Sequence, residues 1–189
     1  MAEEILFGFE TFPRLETERL VLRAVTADDA QHIFEFRSDY EVQKYNGPVQ
    51  KRVSDAYSLI LSLQKEFRLQ EGITWGVAIK AHDELIGLFG LHQWNQYHRR
   101  AELGLDLNRA YWGQGIATEA LSAILAFGFT RLNLNHIFAS TIVSNKRSVQ
   151  LLERLGFHRD GTRRSFSYED DGTFHDSALY SLLQSEFDR

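Results

Sequence analysis

A strand that runs into two closely spaced glycines and then into a helix leaves a chain few options. Here Leu103 to Leu107 alternates as a strand, Gly113-Gln114-Gly115 follows, and Ile116-Ala117-Thr118-Glu119-Ala120 opens an alanine-rich amphipathic segment. Glycine takes φ > 0 without strain and lets the backbone approach a ligand closely. The free N–H groups of a first helical turn then point outward, where the helix dipole favours negative charge. The order strand, glycine turn, helix start predicts a cradle for a phosphate-bearing ligand.

Hydrophobic periodicity supplies the surroundings. Arg19–Arg23 alternates as a first strand. Thr26 can cap a helix over about 27–37, and Asn46-Gly47-Pro48 marks a loop. A longer helix starts near Ser54, with Ala56, Leu59, Ile60, Leu63 and Phe67 on one face, and ends at Glu71-Gly72. Segments 73–79, 85–94 and 100–107 read as strands of an antiparallel meander. The cradle helix spans about 116–132 and strand 136–142 follows, so a right-handed crossover and a parallel pair are predicted. A helix over about 146–155 ends at Gly156, its natural C′ residue. Two last strands, near 157–164 and 174–183, flank the turn at Asp170-Asp171-Gly172. The predicted fold class is α+β, a mixed sheet with helices on both faces, expected to form one domain over 1–189. Aromatic residues such as Phe34, Phe36, Tyr45, Trp75, Trp94 and Tyr97 are assigned to the core by default.

Composition removes several chemistries. The chain has no cysteine, which excludes disulfides, thiolate catalysis and cysteine-based zinc sites. Its histidines show no metal-ligand spacing, so no metal is expected. A net charge of −5 gives no footprint for nucleic acid. The longest apolar run, Leu85 to Leu91, is too short to span a membrane. The start Met1-Ala2-Glu3-Glu4 is too acidic for a secretory signal, and a cytoplasmic location is expected.

Two further signals narrow the ligand. Gly104 interrupts a strand, which predicts a bulge or a close approach at that point. Ser144-Asn145-Lys146-Arg147-Ser148, followed by Leu151 to Phe157, starts a second helix beside the cradle, with Asn145 and Ser148 sharing a face. Together, Trp112 to Ala117, Asn145, Ser148 and Leu155-Gly156-Phe157 resemble the GNAT acetyltransferases. Glu18 to Arg23, Ala101 to Gly104 and Asp176 to Tyr180 resemble the Rim-type branch, the ribosomal-protein N-terminal acetyltransferases and their relatives. The resemblance covers about residues 15–187.

That resemblance implies acetyl-CoA as donor and an amine as acceptor, a protein N-terminus or a small amine, in a monomer or homodimer. It implies that the backbone amides of Gln114, Gly115, Ile116, Ala117 and Thr118 hold the pyrophosphate. The pantetheine arm then lies between splayed strands, along Leu105 and Leu107, with Asn145 touching its amides and Arg147 or Lys146 near the 3′-phosphate. Many members carry a tyrosine where this chain has Leu152; Ser148 is the implied proton donor to the leaving thiolate. Glu102 is the candidate base, at the start of the cradle strand and on one face with Gly104 and Asp106. A base is needed: at pH 7 an α-amine with pKa about 8 is roughly 10% neutral, and a lysine pays roughly 3 kcal/mol more to lose its proton. Asp106 lies too near the glycine turn for that role. His175-Asp176 resembles a dyad but has no nucleophile; Asp176 is expected to be structural or a substrate-pocket residue, with Arg163 or Arg164 able to pair with it. The rival readings are a non-catalytic acyl-CoA-binding module and, more distantly, a dinucleotide-binding fold.

Overall fold

The computed structural model describes residues 11–187. Its strands are β1 (Leu15–Glu16), β2 (Leu20–Arg23), β3 (Ile73–Ile79), β4 (Glu84–Asn95), β5 (Arg100–Leu107), β6 (His136–Ile142), β7 (His158–Tyr168) and β8 (Phe174–Leu183). Its helices are α1 (Ala30–Arg37), α2 (Tyr40–Gln43), α3 (Val53–Arg68), α4 (Ile116–Thr130), α5 (Lys146–Arg154) and α6 (Gln184–Phe187). The strands form one sheet in the order β1-β2-β3-β4-β5-β6-β8-β7, and β5–β6 is its parallel pair. The meander, the crossover and the paired last strands agree with the periodicity.

Alternation along β4, shifted by one residue at the bulge opposite Val77/Ala78, sorts the core into two layers. Ile86, Phe89 and Leu91 pack with α4, whose buried stripe is Ala120, Leu121, Ile124, Leu125 and Gly128. Leu85 and Leu88 point the other way, onto Ile33 and Phe36 of α1 and Ala56 and Ile60 of α3. The sheet therefore has an α4 face and an α1/α3 face. The large buried rings sit at these contacts: Trp75 is fully buried, meets Phe127 edge-on at 5.3 Å between centroids and donates from Nε1 to Pro13 O at 2.7 Å.

Several boundaries differ from the periodicity. The helix expected over 27–37 begins as a single 3-10 turn, Ala27–Asp29, because Asp29 turns its carboxylate back to the Thr26 N–H at 2.8 Å. Asp29 is buried and takes both Arg23 guanidinium nitrogens at 2.8 and 2.9 Å. Burial pushes the Asp29 carboxyl up, but its bonds to Arg23 and Thr26 outweigh that and leave it below the usual range. β7 extends four residues past its expected end at 164, to Tyr168, across a bulge at Arg163/Ser167. Tyr97 is 90% exposed in the turn between β4 and β5, where its ring meets only His98 edge-on among the described rings, so it belongs to no core. No helix of the described residues is long and apolar enough to cross a membrane.

Candidate active site

β5 and β6 pair over three residues only: Arg100 with His136, Ala101 with Ile137, and Glu102 with Phe138. Beyond that seam they part, and a cleft of about 370 Å³ opens. Leu103, Gly104, Leu105 and Leu107 of β5 form one wall, and Ala139, Ser140 and Thr141 of β6 the other. The α2 segment, from Glu41 to Asn46, the glycine turn and α5 complete the lining. The β5 carbonyls past the seam accept from side chains instead of a strand: Leu105 O from Asn46 Nδ2 at 3.0 Å, and Leu107 O from Trp112 Nε1 at 2.9 Å.

The glycine turn has the backbone the sequence demanded. Gly113 and Gly115 lie at φ 75° and 78°, in the left-handed region, and Gly115 caps α4. The first helical bond runs from Glu119 N to Gly115 O at 3.0 Å, so the N–H groups of Ile116, Ala117 and Thr118 precede the helical ladder and are free for a ligand. Arg19 fixes this turn from β2. Its Nη1 takes Gln114 O at 3.0 Å, and its Nε takes Glu119 Oε2 at 2.6 Å. In a trans peptide the carbonyl and the following N–H point opposite ways. Holding the Gln114 carbonyl therefore turns the Gly115 N–H to the other side. Glu119 also accepts from Thr17 Oγ1 at 2.6 Å and from the Arg19 N–H at 2.9 Å. Burial raises the Glu119 carboxyl, but these three partners bring it below the usual range. The Gln114 side chain folds back on Ala110 O at 2.8 Å and stays out of the cleft lining.

On α5, Asn145 caps the helix, accepting from Ser148 N at 3.3 Å. The Ser148 hydroxyl lines the cleft and makes no hydrogen bond to a described residue, so it does not bond back along its helix. Arg147 lays its guanidinium over the Trp112 ring, 4.4 Å from the centroid. Lys146 is exposed and outside the lining, whereas Leu152 is buried within it.

Glu102 stands behind the cleft wall. Its Oε1 accepts from Ser140 Oγ at 3.2 Å and its Oε2 from Gln93 Nε2. Ser140 lines the cleft, while Gln93 lines a second depression beside α3. Asp106 is buried among donors: Arg37 Nη1, Gln43 Nε2 at 3.1 Å and Asn46 Nδ2 at 2.6 Å. It binds the α1–α2 region to β5. His175 bonds Asp171 and Thr173, at 2.8 and 2.9 Å, not Asp176. Asp176 instead accepts from Ser165 N at 2.8 Å, and Arg163 lies over Phe166, so the expected ion pair with Arg163 or Arg164 gives way to a bond that holds the β7 bulge.

The cleft thus gathers Leu105, Leu107, Gly115, Ile116, Ala117, Thr118, Asn145, Arg147 and Ser148, and leaves Glu102 and Gln114 outside its lining. Sequence reading missed Arg19, Asn46 and Ser140. Arg19 was visible only as one polar step of an alternating strand, and Asn46 only as a loop residue.

The family model described as the acetyltransferase (GNAT) domain matches residues 19–158. The uncharacterized N-acetyltransferase YoaA of Bacillus subtilis is 37% identical over 174 residues, spanning 92% of this chain and 98% of its own. The chain belongs to the GNAT acetyltransferase family. The putative ribosomal N-acetyltransferase YdaF of Bacillus subtilis is 31% identical over 71% of this chain and 73% of its own. The spermidine N-acetyltransferase of Vibrio cholerae, solved with CoA and spermine, superposes with a TM-score of 0.81 at 25% identity, covering 92% of this chain and all of that one.

As a GNAT acetyltransferase the enzyme draws its acetyl group from acetyl-CoA and delivers it to an amine. The site fits such a donor. A diphosphate suits the row of free N–H groups at the positive end of α4, held open by a residue in the left-handed region. A narrow chain with amide groups suits the cleft between parted strands.

Proposed function

We propose that this GNAT acetyltransferase, one domain over 1–189, acetylates the α-amine of a protein N-terminus, as in the Rim-type branch. The charge of the cleft carries the reading. Its lining holds one carboxylate, Glu41, already paired with Lys44 at 2.8 Å, against three cations, Lys44, Arg147 and Arg154. A polyamine brings several positive charges and would meet no run of carboxylates within that lining to match them. A chain end brings one ammonium, for which Glu102 behind Ser140 is sufficient. The likeness to YdaF supports the same acceptor class.

In this mechanism the amides of Gly115, Ile116, Ala117 and Thr118 hold the pyrophosphate, Arg147 on Trp112 faces the nucleotide phosphates, and Asn145 with the edges of Leu105 and Leu107 guides the pantetheine. Acetyl-CoA supplies an activated thioester carbonyl. Glu102 draws the ammonium to the seam and takes its proton directly or through the Ser140 hydroxyl. The amine attacks directly, since the chain holds no cysteine to carry the acetyl group. Ser148 donates its hydroxyl hydrogen bond to the departing thiolate.

Release of CoA thiol at saturating acetyl-CoA, across N-terminal peptides, polyamines and aminoglycosides, tests the reading. Turnover with peptides alone supports it. Turnover with spermidine alone replaces it with the acceptor class of the Vibrio cholerae enzyme. Binding of acetyl-CoA without transfer to any amine favours a non-catalytic module. Glu102→Gln should lower kcat at neutral pH more than acetyl-CoA affinity, and unchanged turnover removes Glu102 from the mechanism.

A further inference from the structure

A histidine lies beside the seam on a floor made of glycine. His92 of β4 is directly opposite Glu102 of β5 in the strand register, so both side chains project from the α1/α3 face. The next pair on that face is Gly90 with Gly104. A β-carbon on Gly104 would stand 3.1 Å from His92 Cδ2 and 3.2 Å from Nε2, and one on Gly90 would stand 3.0 Å from Nε2. The glycine that interrupts β5 therefore makes room for the Nε2 edge of an imidazole. Gly104 also forms part of the cleft wall, two residues past the last seam pair of β5.

The other ring nitrogen is held. His92 Nδ1 is 3.0 Å from Glu66 Oε1 on α3. An ionised carboxylate only accepts, so whenever the imidazole is neutral Nδ1 carries the hydrogen and Nε2 keeps its lone pair. Nε2 has no hydrogen-bond partner among the described residues. The Thr74 hydroxyl of β3, buried and without a partner, stands 2.6 Å from the same Gly90 β-carbon position. The charged groups brought to the ring by the elements packed on it are Glu66 from α3 and Glu102 from β5; β3 contributes the neutral Thr74.

We propose that His92 is a second proton acceptor of the acetyl-transfer site, with Glu66 as the positioning residue that fixes its tautomer. The inference rests on the acetyl-transfer reading above. An ammonium acceptor must lose two N–H protons in one turnover: one before attack, and one from the cationic nitrogen of the tetrahedral adduct. One proton ends on the CoA sulfur and one leaves to solvent. Glu102 serves the first loss, and His92 serves the second. In that step the N–H bond breaks, its electron pair stays on the nitrogen, and an Nε2–H bond forms. The imidazolium then releases the proton to water, to which the His92 side chain is 33% exposed. Imidazole is the side chain whose ordinary titration lies nearest neutral pH, which matches it to this exchange better than a second carboxylate.

The test uses the full chain with an acceptor that the wild type acetylates. His92→Gln should lower kcat about 100-fold with acetyl-CoA affinity within about twofold of wild type, and should remove one acid-side limb of the pH profile of kcat/KM. Glu66→Gln should lower kcat about tenfold and displace that limb, and Glu66→Asp should recover part of the loss. An unchanged kcat and pH profile in His92→Gln overturns the proposal, as does a parallel loss of acetyl-CoA binding, which marks a structural role. Nitrogen-15 NMR of the histidine rings needs no acceptor. It should show neutral His92 protonated on Nδ1, and a dominant Nε2–H form overturns the proposal even if no acceptor is found. Failure of the wild type to acetylate any amine counts against the acetyl-transfer reading instead.

Discussion

Two parts of the cleft lining are tied to the sheet by opposite means. At the glycine turn, backbone does the binding, and the ties are half-exposed charges: Arg19 reaches Gln114 O and Glu119 from a side chain that is 46% exposed. At the α2 segment, the tie is a buried carboxylate: Asp106 collects Arg37, Gln43 and Asn46, and Asn46 also reaches Leu105 O. A donor shared by a whole family needs only a fixed curve of backbone. The α2 side is built from side chains, and its placement depends on a polar cluster gathered on the buried Asp106 carboxylate.

Replacing Asp106 should break the comparison most sharply. Asp106→Ala leaves the half-buried Arg37 guanidinium and the buried Gln43 amide without their shared acceptor, which should cost about 3–5 kcal/mol in denaturant unfolding. A loss below about 1 kcal/mol would mean that the two ties are equivalent. Next comes Gly115→Val, which forces a β-branched residue to φ 78°. That should cost about 1–2 kcal/mol and weaken acetyl-CoA binding about tenfold, read by calorimetry. Arg19→Gln should weaken acetyl-CoA binding by roughly three- to tenfold with kcat unchanged, because the Gly115 N–H is then no longer held in place. A fall in kcat alone would reject that role.

The smallest effect is one of pH. The Glu119 carboxyl is lowered in the folded protein, so the unfolded chain binds its proton first as pH falls. Its contribution is therefore complete above the ordinary value of 4.5 and is lost as pH drops through the lower native value. Glu119→Gln should flatten the acid limb of stability below that point by up to about 1 kcal/mol, measured as Tm against pH. An acid limb identical to wild type would show that the tie at the turn carries no stability.

The same contrast explains what was legible. The meander, the crossover and the glycine turn follow from periodicity and from two glycines, since each is a local demand of backbone on sequence. Gly156 likewise sits at φ 86° where a helix end required it. Arg37, Gln43, Asn46 and Asp106 are separated by up to 69 residues and meet only because β5 lies under α2. No local pattern announces such a meeting, and Asp106 on its strand looked like one more polar step. Gly104 falls between these cases. A close approach was legible at that position, but the ring that makes it, His92, comes from the neighbouring strand.

The three-residue seam between β5 and β6 has a mechanical meaning. The sheet is one surface by topology, but its backbone is stitched across the middle at three points only. A molecule lying along the open part of that seam would act as additional stitches, linking β1–β5 to β6–β8 for as long as it stays. In the proposed site the acetyl donor would be a fastener as well as a reactant, and each departure of CoA would loosen the molecule along its own midline.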